Sequence, residues 1–346
     1  MNENQPDRAH WMAGAYGLMN HWLFPGVLPE RLPGAATIEE ACARFNVERL
    51  LEDFAISGAD WLIFTLGQNT GCYCSPNSVI EELCGPGHCP SRDLALEIAQ
   101  GLHRMGKRFI AYLPCEVAAN RTLHAGFAWN TVDGSDQVGF QRLYTQAVAE
   151  WAQRFGELLD GWWFDGCYTW PGFHNSYMDW DLWLGAARSG NPEAVVTFND
   201  GAFCVGNTQP VHSSHDYLSG EAEMLVQGRV RLGRAGDPPP THLPAGRFAS
   251  GTRIQWHALL PIDCFWGHGN PPPDWLPEHR YHEIQTGSPN PPMELPVYSD
   301  LELGAFLNDC LEVGGAVTLN VGIFQEGHYG KETVNQLTRI RNKLGR

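Results

Sequence analysis

Short apolar runs alternate with amphipathic stretches along most of the chain. Stretches with the apolar spacing of a helix, such as residues 46–57, 140–155 and 332–344, accompany most of the runs. Strands that alternate with helices form parallel sheets with right-handed crossovers, and eight such units close into a barrel. The pattern therefore predicts an α/β protein with a (β/α)8, TIM-like barrel. The eight predicted strands are residues 13–22, 61–66, 108–113, 161–164, 194–198, 215–218, 253–259 and 316–321.

Local signals mark helix ends and the loops between elements. Thr37 and Glu40 form a capping box at the start of one helix, and Gly58 ends the next helix. Segments rich in Gly, Pro and polar residues predict long loops on a single catalytic domain that spans residues 1–346. The predicted loops lie at about residues 67–90, 117–136, 228–251 and 267–297.

An open doubly wound sheet is the alternative architecture, because it has the same alternation of strands and helices. Such sheets bind nucleotides through glycine-rich turns that follow a strand. No predicted strand is followed by G-x-G-x-x-G or by G-x-x-x-x-G-K-[ST]. The sequence therefore offers no support for a nucleotide cofactor and favours the barrel.

Net charge and hydropathy argue against some classes of binding partner. The chain has 346 residues, of which 43% are hydrophobic, and its formal net charge is −16. This acidic balance argues against nucleic acid and against an anionic membrane surface as partners. No apolar run reaches the ~18 residues that a membrane-spanning helix needs. A homo-oligomer is compatible with the sequence, which does not decide the oligomeric state.

The cysteines and the N-terminus predict a cytoplasmic protein without a metal. The first ten residues are polar and carry no signal-peptide core, and the ten cysteines are spread along the chain. Thiols in a long chain without a leader stay reduced. Residues 72–89 hold four of these cysteines and His88, but not the C-x2-C pairs of zinc ribbons. We therefore predict no metal and no cofactor.

Polar side chains follow nearly every predicted strand. Asp165 comes directly after the apolar run 161–164, and Gly166 allows a sharp turn behind it. A carboxylate in an apolar wall is costly unless it is paired or performs chemistry. The C-terminal strand ends of a barrel carry its catalytic residues. The residues that we expect at this face are His21, Trp22, Gln68, Asn69, Tyr73, Glu116, Asp165, Tyr168, Asn199, Glu221, His257 and Trp266.

This mixture of carboxylates, amides, imidazoles and aromatic rings suits a small-molecule or oligosaccharide substrate with many hydroxyl groups. Paired carboxylates hydrolyse glycosides: one attacks the anomeric carbon and the other, protonated, donates to the leaving oxygen. We assign Asp165 as the nucleophile and Glu221 as the acid/base, with Glu223 and Asp263 as alternatives for the second role. Turn capping by Asp165 and a solvated position for Glu221 are the competing structural interpretations.

Motifs spread over residues 14–343 resemble the α-L-fucosidases of glycoside hydrolase family 29. The motif WFDG at residues 163–166 is similar to the strand end that carries the family's nucleophile. The resemblance implies a fucosidase-like barrel and a retaining mechanism through Asp165. Unlike many family members, this chain is expected to have no β-sandwich after the barrel. The other similar stretches are residues 17–22 (GLMNHW), 45–68, 92–94 (RDL), 106–112 and 314–322 (GGAVTLNVG).

The chain departs from the family pattern at two strand ends. The family has paired histidines after its second strand, where this chain has Gln68 and Asn69. The family often has Trp-Glu near strand seven, where this chain has Trp256 and His257. The resemblance therefore leaves the sugar and the acid/base undecided.

The sequence predicts an exo-acting, α-L-fucosidase-like glycoside hydrolase. Two alternatives remain: a barrel that binds carbohydrate without hydrolysing it, and a lyase or isomerase that acts on a sugar. Asp165→Asn separates the first two, because it would abolish hydrolysis but leave the affinity of a pure binder. An unsaturated product would indicate elimination.

Overall fold

The structure, a computed structural model, describes residues 6–68, 70–132, 134–167, 178–199, 209–222, 224–231, 241–264, 266–267 and 292–346. The strands within these residues form two sheets. In chain order they are β1 (Tyr16–Asn20), β2 (Trp61–Thr65), β3 (Arg108–Pro114), β4 (Gly161–Asp165), β5 (Val195–Phe198), β6 (Met224–Val226), β7 (Arg229–Arg231), β8 (Thr241–His242), β9 (His257–Pro261) and β10 (Ala316–Asn320).

The larger sheet has seven parallel strands in the order β5-β4-β3-β2-β1-β10-β9. The smaller sheet is antiparallel and contains β6, β7 and β8. Parallel neighbours require crossover connections. Helices supply most of these connections, as the sequence pattern predicts.

The helices pack against the outer face of the large sheet. Their starts follow the sequence signals: Thr37 accepts a hydrogen bond from the backbone N–H of Glu40, and Asn46 accepts one from Arg49. None of the helices in the described part of the chain is long and apolar enough to cross a membrane. The helices are α1 (Ile38–Arg44), α2 (Val47–Ser57), α3 (Ser78–Cys84), α4 (Leu94–Arg104), α5 (Arg121–His124), α6 (Val138–Phe155), α7 (Trp180–Ala187), α8 (Asp300–Glu312) and α9 (Lys331–Lys343).

Residues 215–222 lie between the two edge strands of the large sheet. The backbone N–H of Asp216 donates to the carbonyl of Val196 in β5 over 3.0 Å. On the other side, the N–H of Ala222 donates to the carbonyl of Leu259 in β9 over 2.8 Å. Because one segment bonds to both edges, the sheet must be curled. We call residues 215–222 the closing segment.

The predicted barrel is confirmed in its general form, a curled parallel sheet with helices, but eight continuous strands are not present in the described residues. The predicted strand 215–218 is the closing segment, which makes isolated β-bridges at Tyr217 and Glu221. The predicted strand 253–259 is found at His257–Pro261 instead. Three predicted loops contain short elements that the sequence analysis missed: α3, α5, and the pair β7 and β8.

Two apolar clusters cover the two faces of the large sheet. The larger one fills the space between the strands and the helices. The smaller one lies inside the curled sheet, where Gly17 makes room for Trp61: a Cβ on Gly17 would lie 2.1 Å from the indole nitrogen. The buried members of the inner cluster include Met19, Trp61, Ile63, Ile110, Tyr112, Trp163, Val195, Tyr217, Leu259 and Trp266.

An ionic cluster anchors the start of β4. Asp160 accepts hydrogen bonds from Arg108 at 2.6 Å, from His103 at 2.7 Å and from the backbone N–H of Phe109 at 2.9 Å. The Asp160 side chain is only 5% exposed. Because every donor comes from α4 or the β3 region, this carboxylate fixes the helix and the strand to β4.

Candidate active site

Asp165 is the last residue of β4, at the C-terminal edge of the sheet. Its Oδ1 accepts hydrogen bonds from the backbone N–H of Gly166 at 2.8 Å and from Nδ2 of Asn199 at 2.9 Å. Its Oδ2 accepts a hydrogen bond from the hydroxyl group of Tyr112. Three donors from three chain segments therefore hold both oxygens of this carboxylate in one orientation.

The hydrogen bonds around Asp165 extend in both directions along the sheet edge. On one side, Nε2 of Gln68 donates to the hydroxyl oxygen of Tyr112 and lies 3.4 Å from Nε2 of His21. On the other side, Nδ2 of Asn199 also donates to Oε2 of Glu221 at 2.6 Å. The linked residues, in spatial order, are His21, Gln68, Tyr112, Asp165, Asn199 and Glu221.

This hydrogen-bonded row follows the strand order. Its members come from the ends of β1, β2, β3, β4 and β5 and from the closing segment. Parallel strands bring their C-terminal ends to the same edge, and alternate side chains point to the same face. The sequence positions therefore place these polar groups side by side at one mouth of the curled sheet.

His21 is the imidazole in this row and is buried. Burial lowers the pKa of His21 to about 4, so its ring is uncharged near neutral pH. A neutral imidazole has one donor and one acceptor nitrogen. His21 can therefore bind a hydroxyl group but adds no positive charge to the mouth.

Glu116 and Trp266 also lie near this mouth. A Cβ on Gly166 would come within 2.5 Å of Cγ of Glu116, which places this glutamate beside the turn after Asp165. Trp266 belongs to the inner cluster, and its carbonyl accepts a hydrogen bond from Nδ2 of Asn320 at 2.9 Å. The Oδ1 atom of Asn320 is buried and has no hydrogen-bond partner among the described residues. Glu116 and Trp266 thus lie near the C-terminal edge of the sheet, and their contact with a substrate stays a prediction.

Two predicted substrate contacts lie on the wrong face of the sheet. Trp22 packs against Phe45 and Phe64, with ring centroids 5.6 and 6.4 Å away, in the outer core. Tyr73 packs against Trp151 of α6 at 5.4 Å and is also fully buried there. Both aromatic rings therefore stabilise the layer between the sheet and the helices, and neither lies with the hydrogen-bonded row.

His257 is the third correction. It begins β9 and pairs with Ala316, the first residue of β10, so it lies at the N-terminal end of the sheet. Its Nδ1 donates to the carbonyl of Leu218 at 2.9 Å, and its Nε2 is 2.8 Å from Oγ1 of Thr318. Burial lowers the pKa of His257 to about 4. Both ring nitrogens thus have internal partners, and His257 is a neutral core residue.

Asp263, one of the two alternatives for the acid/base, has a structural role. Asp263 is buried, and its oxygens accept from the N–H groups of Cys264 and Gly322 and from the hydroxyl group of Thr333. Burial raises the pKa of Asp263 to about 6 against the opposing effect of these donors. Asp263 therefore connects the end of β9 to the start of α9.

The predicted residues Asn69, Tyr168 and Glu223 lie outside the described residues.

Tyr112 is the member of the row that the sequence analysis missed. It lies inside β3, two residues before the strand ends, within a run that the sequence analysis treats only as a strand. Its position in the strand could have identified it. Tyr112 lies near the C-terminal end of the strand, where a polar hydroxyl group can reach the residue that ends the next strand, Asp165. Within the described part of the chain, no group of three or more His, Cys, Asp or Glu side chains is arranged to hold a metal ion.

A curled parallel sheet with polar side chains at its C-terminal strand ends is the architecture of α/β-barrel enzymes. The same fold occurs in fucose-related glycoside hydrolases. No protein-family description and no curated protein sequence matches the chain. The relationship is therefore one of fold.

Three solved structures illustrate this similarity. One endo-fucoidan hydrolase of glycoside hydrolase family 107 is 16% identical with a TM-score of 0.67, over 99% of this chain and 54% of that protein. A second family 107 endo-fucoidan hydrolase is 15% identical with a TM-score of 0.62, over 99% of this chain and 94% of its own. α-L-Fucosidase isoenzyme 1 from Paenibacillus thiaminolyticus is 13% identical with a TM-score of 0.59, over 98% of this chain and 75% of that protein. The chain thus spans about half the length of the first of these proteins.

Proposed function

We propose that this chain is a retaining glycoside hydrolase that acts on α-L-fucosides, with Asp165 as nucleophile and Glu221 as acid/base. Two independent lines support the proposal. The fold is shared with hydrolases whose names refer to fucose or fucoidan. Two carboxylates also meet on one amide nitrogen at the C-terminal edge of the sheet.

The shared amide nitrogen carries the proposal, because it limits the distance between the two carboxylates. Oδ1 of Asp165 is 2.9 Å and Oε2 of Glu221 is 2.6 Å from Nδ2 of Asn199, so these oxygens are at most 5.5 Å apart, the sum of the two distances. Retaining glycosidases hold their carboxyl groups about 5–5.5 Å apart, whereas inverting enzymes need roughly 6.5–9.5 Å for a water molecule. The two oxygens that contact Asn199 are therefore no farther apart than the carboxyl groups of retaining enzymes, which supports a retaining mechanism.

In the first step, a carboxylate oxygen of Asp165 attacks the anomeric carbon while protonated Glu221 donates its hydrogen to the leaving oxygen. The bond to the leaving group breaks, and a glycosyl ester on Asp165 forms. The hydrogen bonds from Tyr112, Asn199 and Gly166 hold the attacking carboxylate in place. These donors reduce the reorganisation that the attack requires.

In the second step, Glu221 acts as a base. It takes a proton from water, whose oxygen attacks the anomeric carbon, breaks the ester and releases the sugar with its original anomeric configuration. His21 is neutral at working pH and is suited to bind a sugar hydroxyl group. Trp266 is the described aromatic residue that we propose for stacking on the sugar ring.

A panel of nitrophenyl glycosides tests this function. We expect release of nitrophenol from the α-L-fucoside in preference to α-galactoside, β-galactoside and arabinosides. Asp165→Asn should abolish release but keep the folded circular dichroism spectrum. A fluorinated fucosyl probe should label the peptide that contains Asp165, as detected by mass spectrometry. Tight sugar binding without any turnover would replace the hydrolase with a binding protein.

A second candidate is endo-hydrolysis of a fucose polysaccharide. The observation in its favour is that the family 107 endo-fucoidan hydrolases reach TM-scores of 0.62 to 0.67, against 0.59 for the fucosidase. Product size separates the two. Exo-action releases free fucose from the start, whereas endo-action first gives a ladder of oligosaccharides on a carbohydrate gel.

The proposal also covers the domain that carries the site, its cellular location and its partner. We propose that the closing segment completes a (β/α)8 barrel, which forms a single catalytic domain and uses no cofactor. The buried cysteines within the described residues are free thiols, in line with the reducing, cytoplasmic location that we propose; they are Cys42, Cys74, Cys115, Cys167, Cys264 and Cys310. The proposed partner is the carbohydrate substrate alone.

A further inference from the structure

Asn199 connects the two carboxylates and is itself held firmly. It follows β5 directly and is fully buried. Its backbone N–H donates to the carbonyl of Phe164 at 2.7 Å, and its carbonyl accepts from the N–H of Cys167 at 2.8 Å. The main chain of Asn199 is therefore fixed to residues on both sides of Asp165, and its side chain starts from a rigid base.

An amide nitrogen suits a position between two carboxyl groups in different protonation states. It offers two hydrogens and no charge. One hydrogen goes to Oδ1 of Asp165 and the other to Oε2 of Glu221. A lysine or arginine here would favour ionisation of both acids through its charge. A single hydroxyl group would leave one acid without its donor.

The donor to Oε2 also determines which oxygen of Glu221 can carry a proton. An oxygen that accepts a hydrogen from Asn199 is the carbonyl-like oxygen of a protonated carboxyl group. The transferable proton of Glu221 must then be on Oε1.

We propose that Asn199 is a positioning residue: its single side-chain nitrogen sets the spacing of nucleophile and acid/base and directs the catalytic proton to Oε1 of Glu221. The inference rests on the proposed hydrolase function. It gives Asn199 a different role from the substrate contact that the sequence analysis assigned to it.

Other titratable groups lie near the pair, and a substitution of Asn199 does not alter them chemically. Tyr112 of β3 donates to Oδ2 of Asp165. His21 reaches the pair through Gln68. Glu116 lies beside the turn at Gly166. A change confined to Asn199 variants can therefore be assigned to the loss of its amide.

The experiment compares Asn199→Ala with Thr197→Val. Thr197 lies two residues earlier on β5, is fully buried, and its hydroxyl oxygen has no hydrogen-bond partner among the described residues. Thr197→Val thus controls for a change in β5 that leaves both carboxylates untouched. Wild-type turnover of the glycoside panel is measured first, so failure of the proposed function is seen before any variant is tested.

The leaving group provides the decisive readout. A poor leaving group needs the proton of Glu221, whereas 2,4-dinitrophenolate leaves without it. We expect Asn199→Ala to lower kcat/KM, which reports formation of the glycosyl ester, by about 100-fold on an alkyl fucoside and by only about 10-fold or less on the dinitrophenyl fucoside. KM should change little. Both limbs of the kcat/KM profile should move to higher pH, because the amide hydrogens favour the ionised acids.

Equal losses on both substrates, with unshifted pH limbs, would overturn the proposal and leave Asn199 a structural residue. Asn199→Leu serves if the alanine variant does not fold, because it has a similar volume, adds no charge and removes both hydrogens. It should show the same dependence on leaving group. Thr197→Val should match the wild type in both substrate ratio and pH profile.

Discussion

The phenolic oxygen of Tyr112 and the carboxylate of Asp165 are joined by a hydrogen bond across neighbouring strands β3 and β4. Tyr112 in turn accepts from Gln68, and its ring stacks on Trp163 with centroids 5.3 Å apart. Packing on one side and hydrogen bonding on the other leave the phenol a single orientation. The proposed nucleophile therefore depends on a tyrosine that belongs to the inner core.

Tyr112→Phe should lower kcat/KM by about 10-fold to 100-fold, because a hydrogen bond to a charged group contributes roughly 1.5–3 kcal/mol. The acidic limb of the pH profile should move to higher pH, since the lost donor favours the ionised acid. Tyr217→Phe is the matched control: that hydroxyl group donates to the carbonyl of Trp162 at 3.0 Å. It should affect stability without moving the pH limb. An unchanged profile for Tyr112→Phe would contradict the assigned role.

Gly17→Ala should destabilise the fold by about 1–3 kcal/mol, the usual range for overpacking a core. The new methyl group would meet Trp61, whose indole nitrogen also donates to Thr318 at 2.9 Å and cannot move freely. Urea unfolding measures the change. Gly185→Ala in α7, where nothing lies within 4 Å of the added carbon, should instead be neutral or stabilising. Equal effects at both sites would contradict this account.

Asp160→Ala should lower the free energy of unfolding by about 1–3 kcal/mol, the usual cost of leaving a buried donor without its partner. The change would leave His103, Arg108 and the N–H of Phe109 without their acceptor. Asp60→Ala is the comparison, because Asp60 is 35% exposed and pairs with Lys107 at 2.9 Å and with Arg346. Each of these more exposed pairs should contribute at most about 1 kcal/mol. Similar losses in guanidinium unfolding would show that burial of Asp160 is not the cause.

Buried histidines should make the protein sensitive to acid. The pKa of His257 in the fold is about 4, below its ordinary value of 6.5, because burial disfavours the charged ring. The stability from the neutral ring is present above pH 6.5 and is lost as the pH falls towards 4. In thermal unfolding, His257→Gln should have a lower Tm at pH 7 and a shallower decline towards pH 4. A decline parallel to that of the wild type would refute this assignment.

The strands were predictable because a buried parallel strand is a short apolar run. Their ends were less so. The run at residues 253–259 begins before β10 lies alongside it, so Gln255 bonds to the closing segment and only His257 onward joins the parallel sheet. The displaced strand start is the reason that His257 was assigned to the wrong end of the sheet.

Some features of the candidate site could also be predicted from the sequence, and others could not. Alternation along β1 could have separated His21 from Trp22, since successive side chains point to opposite faces. It could also have identified Tyr112. The contact between Asn199 and Glu221 was beyond sequence reasoning, because it depends on how closely the closing segment approaches β5 in space.

Asp165 and Glu221 lie on backbone segments that differ in how extensively they are hydrogen-bonded to their neighbours. β4 is paired along its length with β3 and β5, whereas the closing segment is joined by isolated bridges, with most of its described backbone bonds on the β9 side. We expect the amides around Glu221 to exchange with deuterium faster than those of β4. A fixed attacking group beside an adjustable proton carrier fits a cycle in which Glu221 first serves a departing oxygen and then an incoming water.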